Sequence, residues 1–133
     1  MVQIKSTTGE LIRTVRTQTL VKSSLRWARL PSANLKGKNI KGSDLSYSYL
    51  YQADLSSAIL NGANFHGSDL TLANLSNSDL RGATFYNAVL RGTDLRGANL
   101  EDVNFRFARI YQTTQFDPEQ LTYLLLKGLN IAS

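Results

Sequence analysis

The sequence contains no cysteine, which excludes disulfides and thiolate chemistry. Its one histidine, His66, has no Cys, His or acid at ligand spacing, so His66 reads as a solvated outward residue beside Tyr86 and no metal site is expected. No apolar run approaches the length of a membrane span, and the opening Met-Val-Gln-Ile-Lys-Ser lacks the hydrophobic region of a secretory signal. At 133 residues the expectation is one cytoplasmic domain without membrane insertion. Positive charge is missing from the middle of the chain. Residues 42–80 hold no Lys or Arg against four Asp, whereas residues 1–41 hold nine Lys or Arg against one acid. The net charge of +5 therefore conceals a basic end and an acidic middle.

What is present is a five-residue unit, written seventeen times from Ala28 to Gln112 without an insertion. Its centre falls at Leu30 and at every fifth residue to Ile110, always Leu, Ile or Phe. Two places earlier stands a small residue, as at Ala33, Ser43 and Ala53, and between them comes mostly Asn or Asp, as in Ala-Asn-Leu at 33–35 and 73–75. A period of five suits neither a 3.6-residue helix stripe nor a two-residue strand. It suits a chain that turns a corner after every unit, with the centre and the small residue inward and three residues outward. Seven of the nine glycines lie two places after a centre, where a type II turn needs positive φ, so they mark corners.

The phenylalanines set the number of sides. Phe65, Phe85 and Phe105 are twenty residues apart, with Leu45 twenty before the first, so four units per coil stack them into one core column. The residue before each centre, read at the same step, gives Asn34, Asp54, Asn74 and Asp94, and no two acids fall in successive coils there. Stacked strands lie roughly 4.8 Å apart, where like charges repel and Asn side chains pair. The expectation is an all-β, four-sided solenoid of about four coils over residues 30–112.

These A(D/N)LxG-like units resemble the pentapeptide repeat family across 85 of the 133 residues, and the short length and flanks are similar to small cyanobacterial members. The resemblance implies a right-handed quadrilateral β-helix, and, as in several members, a homodimer through the C-terminal end. It also brings in DNA-mimicking topoisomerase inhibitors. Those look like long, strongly acidic rods, which this short basic chain does not match.

A stack of coils exposes apolar rings and unpaired backbone at both ends, so caps are required. Within residues 1–29, Val2–Lys5 and Leu11–Val15 around Ser6–Gly9 read as a hairpin, followed by a helix over about 20–29 capped by Thr17–Thr19. Val21, Leu25 and Ala28 would form its apolar line. Lys22, Arg26 and Arg29 would line the opposite side at i, i+4 and i+7, as candidate anion contacts or as solvated cap charges. Lys38 occupies an inward position, where a buried ammonium is costly. Distortion of the first coil is expected there in preference to a side chain that snorkels out. Within residues 113–133, Asp117 as N-cap, Pro118 at the first position, the stripe Leu121, Leu124, Leu125 and a stop at Gly128 read as a capping helix. Tyr123, Leu126, Leu129 and Ile131 exceed what so small a lid must bury.

No catalytic constellation emerges. Pairs such as Ser43-Asp44 and Ser78-Asp79 lack a base and a pocket, and a filled coil leaves no cavity, so a non-enzymatic protein without cofactors is expected. On the face of Leu50, Leu70 and Leu90 the outward set includes Tyr49, Tyr51, Leu72, Val89 and Tyr111, a candidate protein interface. Arg81, Arg91, Arg96 and Arg106 fall on four different faces as a collar, with Arg81 stacked against Glu101. The leading reading is a rigid protein-interaction scaffold with a protein partner. The alternative is an anion- or nucleic-acid-contacting module at the basic N-terminal end.

Overall fold

The computed structural model describes residues 1–132. Its body is a coil that climbs by twenty residues per turn. Parallel bridges join Ser24 to Asp44, Asp44 to Asn64, Asn64 to Thr84 and Thr84 to Asn104 on one wall, and the same step recurs from Arg29, Asn34 and Asn39 on the other three. Each wall is one five-residue unit. The centre and the small residue two before it are buried from Leu20 to Ala98, with Lys38 the exception.

One unit shows why the sequence folds this way. Ala53 N–H closes a turn onto Leu50 O at 3.0 Å, Asp54 N–H donates to Ala33 O in the coil before at 2.9 Å, and Leu55 and Ser57 donate to Asn74 O and Ser76 O in the coil after at 2.7 and 2.9 Å. Only the Ser56 N–H is left over, and the Asp54 carboxylate accepts it at 3.0 Å. The Asn or Asp before each centre thus caps the one amide that the stacked backbone cannot pair. The outward turn residue has positive φ at every corner from Lys22 to Phe107, and non-glycine residues hold it in eleven cases. Glycine suits this position but the coil does not require it.

The core column forms as the twenty-residue step demands. The Phe65 and Phe85 rings are 4.9 Å apart and 1° from parallel, and Phe85 and Phe105 are 5.5 Å apart at 12°. Leu45, Phe65 and Phe85 are fully buried, and Phe105 is half-buried under the C-terminal lid.

Residues 20–29 do not form a helix. They are two further repeat units, with Leu20, Ser23, Leu25 and Ala28 buried and with Ser24 and Arg29 bridged to Asp44 and Tyr49. Leu25 and Ala28 fit both a helical stripe and the five-residue unit. The unit prevails because Leu25 and Trp27 donate to Asp44 O and Ser46 O in the next coil at 2.7 and 3.0 Å. A lone ten-residue helix would have to overcome its own nucleation cost. The coil therefore runs from Leu20 to Ile110, close to five turns. The N-terminal end is covered by the hairpin alone, β1 (Val2–Lys5) against β2 (Leu11–Val15). Ile4 is buried, and Asn34 N–H donates to Lys5 O at 2.7 Å. Lys38 does not distort its coil either: its N–H meets Leu35 O at 3.1 Å, its carbonyl accepts Ile59 N–H at 3.0 Å, and the residue is exposed. Its flexible stem carries the ammonium out to water at far lower cost than a broken coil.

At the other end one extra residue shifts the register. Asp94 bridges Gln115, Thr114 Oγ1 donates to Leu90 O at 2.6 Å, and Phe116 meets Phe105 edge-on at 6.4 Å. Helix α1 (Pro118–Leu126) follows as the lid, with Leu124 buried. Gln120 fastens it, its Oε1 accepting Asp117 N–H at 2.7 Å and its Nε2 donating to Ala98 O at 2.7 Å.

Candidate functional site

Two walls matter here. The phenylalanine wall has its centres at Leu25, Leu45, Phe65, Phe85 and Phe105, and the tyrosine wall follows it in each coil, with centres at Leu30, Leu50, Leu70, Leu90 and Ile110. On the tyrosine wall one outward column is Arg29, Tyr49, Asp69, Val89 and Arg109, each bridged to the next. The Tyr49 and Tyr51 rings are 6.1 Å apart and nearly parallel, with the Arg29 guanidinium 5.8 Å from the Tyr49 centroid. Higher up, Arg91 lies 4.3 Å over Tyr111. Hydrogen bonding to Arg91, assisted by the charge of Arg109, lowers the Tyr111 hydroxyl below the ordinary tyrosine value. Leu72, 49% exposed, lies across Gly92 at the following corner. Tyr49, Tyr51, Leu72, Val89 and Tyr111 thus share one wall and its edge, but they are not one apolar patch. Asp69 divides them, held by Thr71 through N–H and Oγ1 contacts of 3.0 and 2.6 Å.

Lys22, Arg26 and Arg29 do not form a line on a helix. Lys22 sits at the corner entering the phenylalanine wall, Arg26 at the corner leaving it, and Arg29 on the tyrosine wall. In the collar, Arg81 and Arg96 grip Asp79 and Asp94 two residues before them, each through two hydrogen bonds of 2.7–3.0 Å. Glu101 sits one coil after Arg81, where Gly82 N–H donates to its carbonyl, but the ion-pair partner of Arg81 is Asp79. Those arginine hydrogen bonds, opposed by slight desolvation, hold both carboxyls below the ordinary aspartate range. Hydrogen bonding from Ser46 does the same for Asp44.

The expected neighbours His66 and Tyr86 belong to a longer feature that the sequence did not reveal, a ladder of rings outside the coil on the corner between the two walls. Trp27 stacks on Tyr47 at 4.5 Å and 11°, Tyr47 meets His66 at 5.1 Å, His66 meets Tyr86 at 5.0 Å, and Tyr86 meets Phe107 at 5.4 Å. Tyr47 folds over Gly67, where an added Cβ would come within 2.7 Å of its ring. Arg26 lies 5.2 Å from the Tyr47 centroid and Arg106 lies 5.7 Å from that of Phe107. A twenty-residue step conceals the ladder because it alternates between the second outward turn residue (Trp27, Tyr47, Phe107) and the first (His66, Tyr86). The signal that would have found it is the pair of turn residues taken together.

At the C-terminal end Tyr123, Leu125, Leu126 and Ile131 are exposed. Among the described residues no helix is long and apolar enough to cross a membrane.

The sequence profile of pentapeptide repeats matches residues 48–85 and 85–114. Among solved structures the chain is similar to HetL, a pentapeptide repeat protein involved in heterocyst differentiation regulation from the cyanobacterium Nostoc sp. strain PCC 7120. The two share 30% identity at a TM-score of 0.65, over 67% of this chain and 43% of HetL. It is also similar to alr5209, a pentapeptide repeat protein from Nostoc PCC 7120, with 39% identity and a TM-score of 0.52 over 84% of this chain and 86% of that one. No curated protein sequence matches the chain.

Proposed function

From its membership of the pentapeptide repeat family, we infer that the chain is a right-handed, four-sided β-helix serving as a non-enzymatic, rigid protein-interaction scaffold. One observation carries this reading. The tyrosine wall presents the Tyr49–Tyr51 pair with Arg29 over it, on a backbone tied to the coils on either side through the Tyr49 and Leu50 amides. Tyr and Arg dominate interface energetics when held rigid, because little side-chain entropy is lost on contact. A cytoplasmic location goes with this reading. Replacing both Tyr49 and Tyr51 by Ser should abolish partner capture while shifting stability by no more than about 0.5 kcal/mol per site. Retention of every partner by that variant would remove the wall from consideration.

The exposed Tyr123, Leu125 and Leu126 on α1 support a homodimer through the C-terminal end as an additional assembly. Sedimentation over a range of concentrations tests it, with Leu126→Glu expected to leave a monomer at every concentration.

A further inference from the structure

Building on the scaffold reading, we propose that its docking surface is centred on the external aromatic corner, and that the occupant is an acidic protein segment. The first ground is conformational. Trp27, Tyr47 and Phe107 hold φ of 61°, 57° and 57°, a left-handed conformation disfavoured for any residue with a Cβ. At the same turn position the other three corners carry Gly, Ser, Asn, Asp, Gln or Lys, with Leu72 their one large apolar residue. The coil therefore does not need rings there. Every corner holds this conformation, so what sets this one apart is its run of large rings, an exposed aromatic surface of the kind that marks contact sites. Trp27 and Phe107, the two ends of the ladder, are each 65% exposed.

The second ground is charge. Arg81 and Arg96, at the corners leaving the other two walls, are locked to Asp79 and Asp94. Arg26 and Arg106 on the aromatic corner, Arg29 on the adjoining wall and Arg91 at that wall's far corner have no carboxylate within salt-bridge reach among the described residues and lie over aromatic rings instead. Ring edges carry the positive end of the aromatic quadrupole, so guanidinium groups and ring edges favour the same, anionic, occupant.

The geometry favours protein over nucleic acid. A base inserted between two rings needs a separation of about 7 Å, twice a normal contact distance. The ladder rings stand 4.5–5.4 Å apart and fill one another's faces. Asp44, bridged to Ser24 on the wall that Arg26 leaves, and Asp69 in the middle of the tyrosine wall would repel a continuous track of phosphates. A peptide can set carboxylates on the arginines, keep them off the two aspartates, and lay apolar side chains on Trp27 and Phe107.

Trp27 is the sole tryptophan, so its emission reports directly on the corner. A random twelve-residue peptide library is selected on the full-length protein, and the selected peptides are titrated against Trp27 fluorescence. Peptides rich in Asp and Glu with interspersed apolar residues, which shift Trp27 emission and bind roughly tenfold more weakly to the Arg26→Gln/Arg106→Gln variant, are the expected result. Selection without acidic enrichment, acidic peptides that leave Trp27 emission unmoved, or a twenty-residue oligo-dT that binds more tightly than any selected peptide would overturn the proposal. Peptides lost with Tyr49→Ser/Tyr51→Ser but unaffected by Arg26→Gln/Arg106→Gln would overturn the corner and leave the scaffold reading standing. No selected peptide and no captured partner would end both.

Discussion

The coil carries two aromatic columns on the same side, one within the phenylalanine wall and one outside the next corner, and they obey different rules. The inner rings recur at an unbroken step of twenty and lie within 12° of parallel. The outer rings recur at steps of twenty, nineteen, twenty and twenty-one, and their interplanar angles open from 11° through 37° and 73° to 85°. Inside, close packing on all sides leaves one position and one orientation for each ring. Outside, each ring rests on a neighbour with water beyond it, and its tilt is free to follow local contacts. Regularity in this chain reports what holds the fold together, and irregularity reports what the fold can spare.

The largest expected effect breaks the inner column. Phe85→Ala removes a fully buried ring between two others, and guanidinium unfolding should show a loss of about 3–5 kcal/mol. A loss below about 1 kcal/mol would mean the stack is not the core. Next, Gly67→Ala places a Cβ within 2.7 Å of the Tyr47 ring at φ +66°, joining backbone strain to a clash with the outer ladder. It should cost about 1–2 kcal/mol and alter the emission of Trp27, which stacks on Tyr47. Asn74→Ala orphans the Ser76 N–H and hydroxyl that Oδ1 accepts at 2.9 and 2.6 Å. About 1 kcal/mol should be lost, as when a helix loses its capping side chain.

The smallest effect is electrostatic. Asp44, Asp79 and Asp94 have carboxyl pKa values lowered in the fold, so their contribution is complete above the ordinary aspartate value of about 4 and is lost as pH falls below it. Urea midpoints measured from pH 5 downward should decline, and Asp94→Asn should decline less steeply. Exposed pairs contribute little, so the slope should be shallow.

Most of the fold was legible because a five-residue period places the same demands on every unit. Leu, Ile and Phe centres, small partners and the capping Asn or Asp are each dictated by one recurring geometry. The first two units escaped because Val21, Leu25 and Ala28 also match a helical stripe, and over ten residues the two periods share positions. The backbone partners that decide between them lie twenty residues away, at Asp44 and Ser46. The tyrosine wall was legible as a set of outward residues, although not its division by Asp69, whose tie to Thr71 is a contact between side chains. The corner ladder was hidden by its own change of step. Rings from two different turn positions converge on it, which only a folded corner reveals.

The account rests on the inner column carrying stability while the outer one is spared for contact. The most direct test is the equilibrium unfolding of a Trp27→Asn/Tyr47→Asn/Phe107→Asn triple variant, followed by circular dichroism. Asn tolerates left-handed backbone, so relief of strain should offset the lost ring contacts and leave stability within about 1 kcal/mol of the parent, or above it. A loss exceeding about 3 kcal/mol would show that the outer rings support the fold, and would contradict the account.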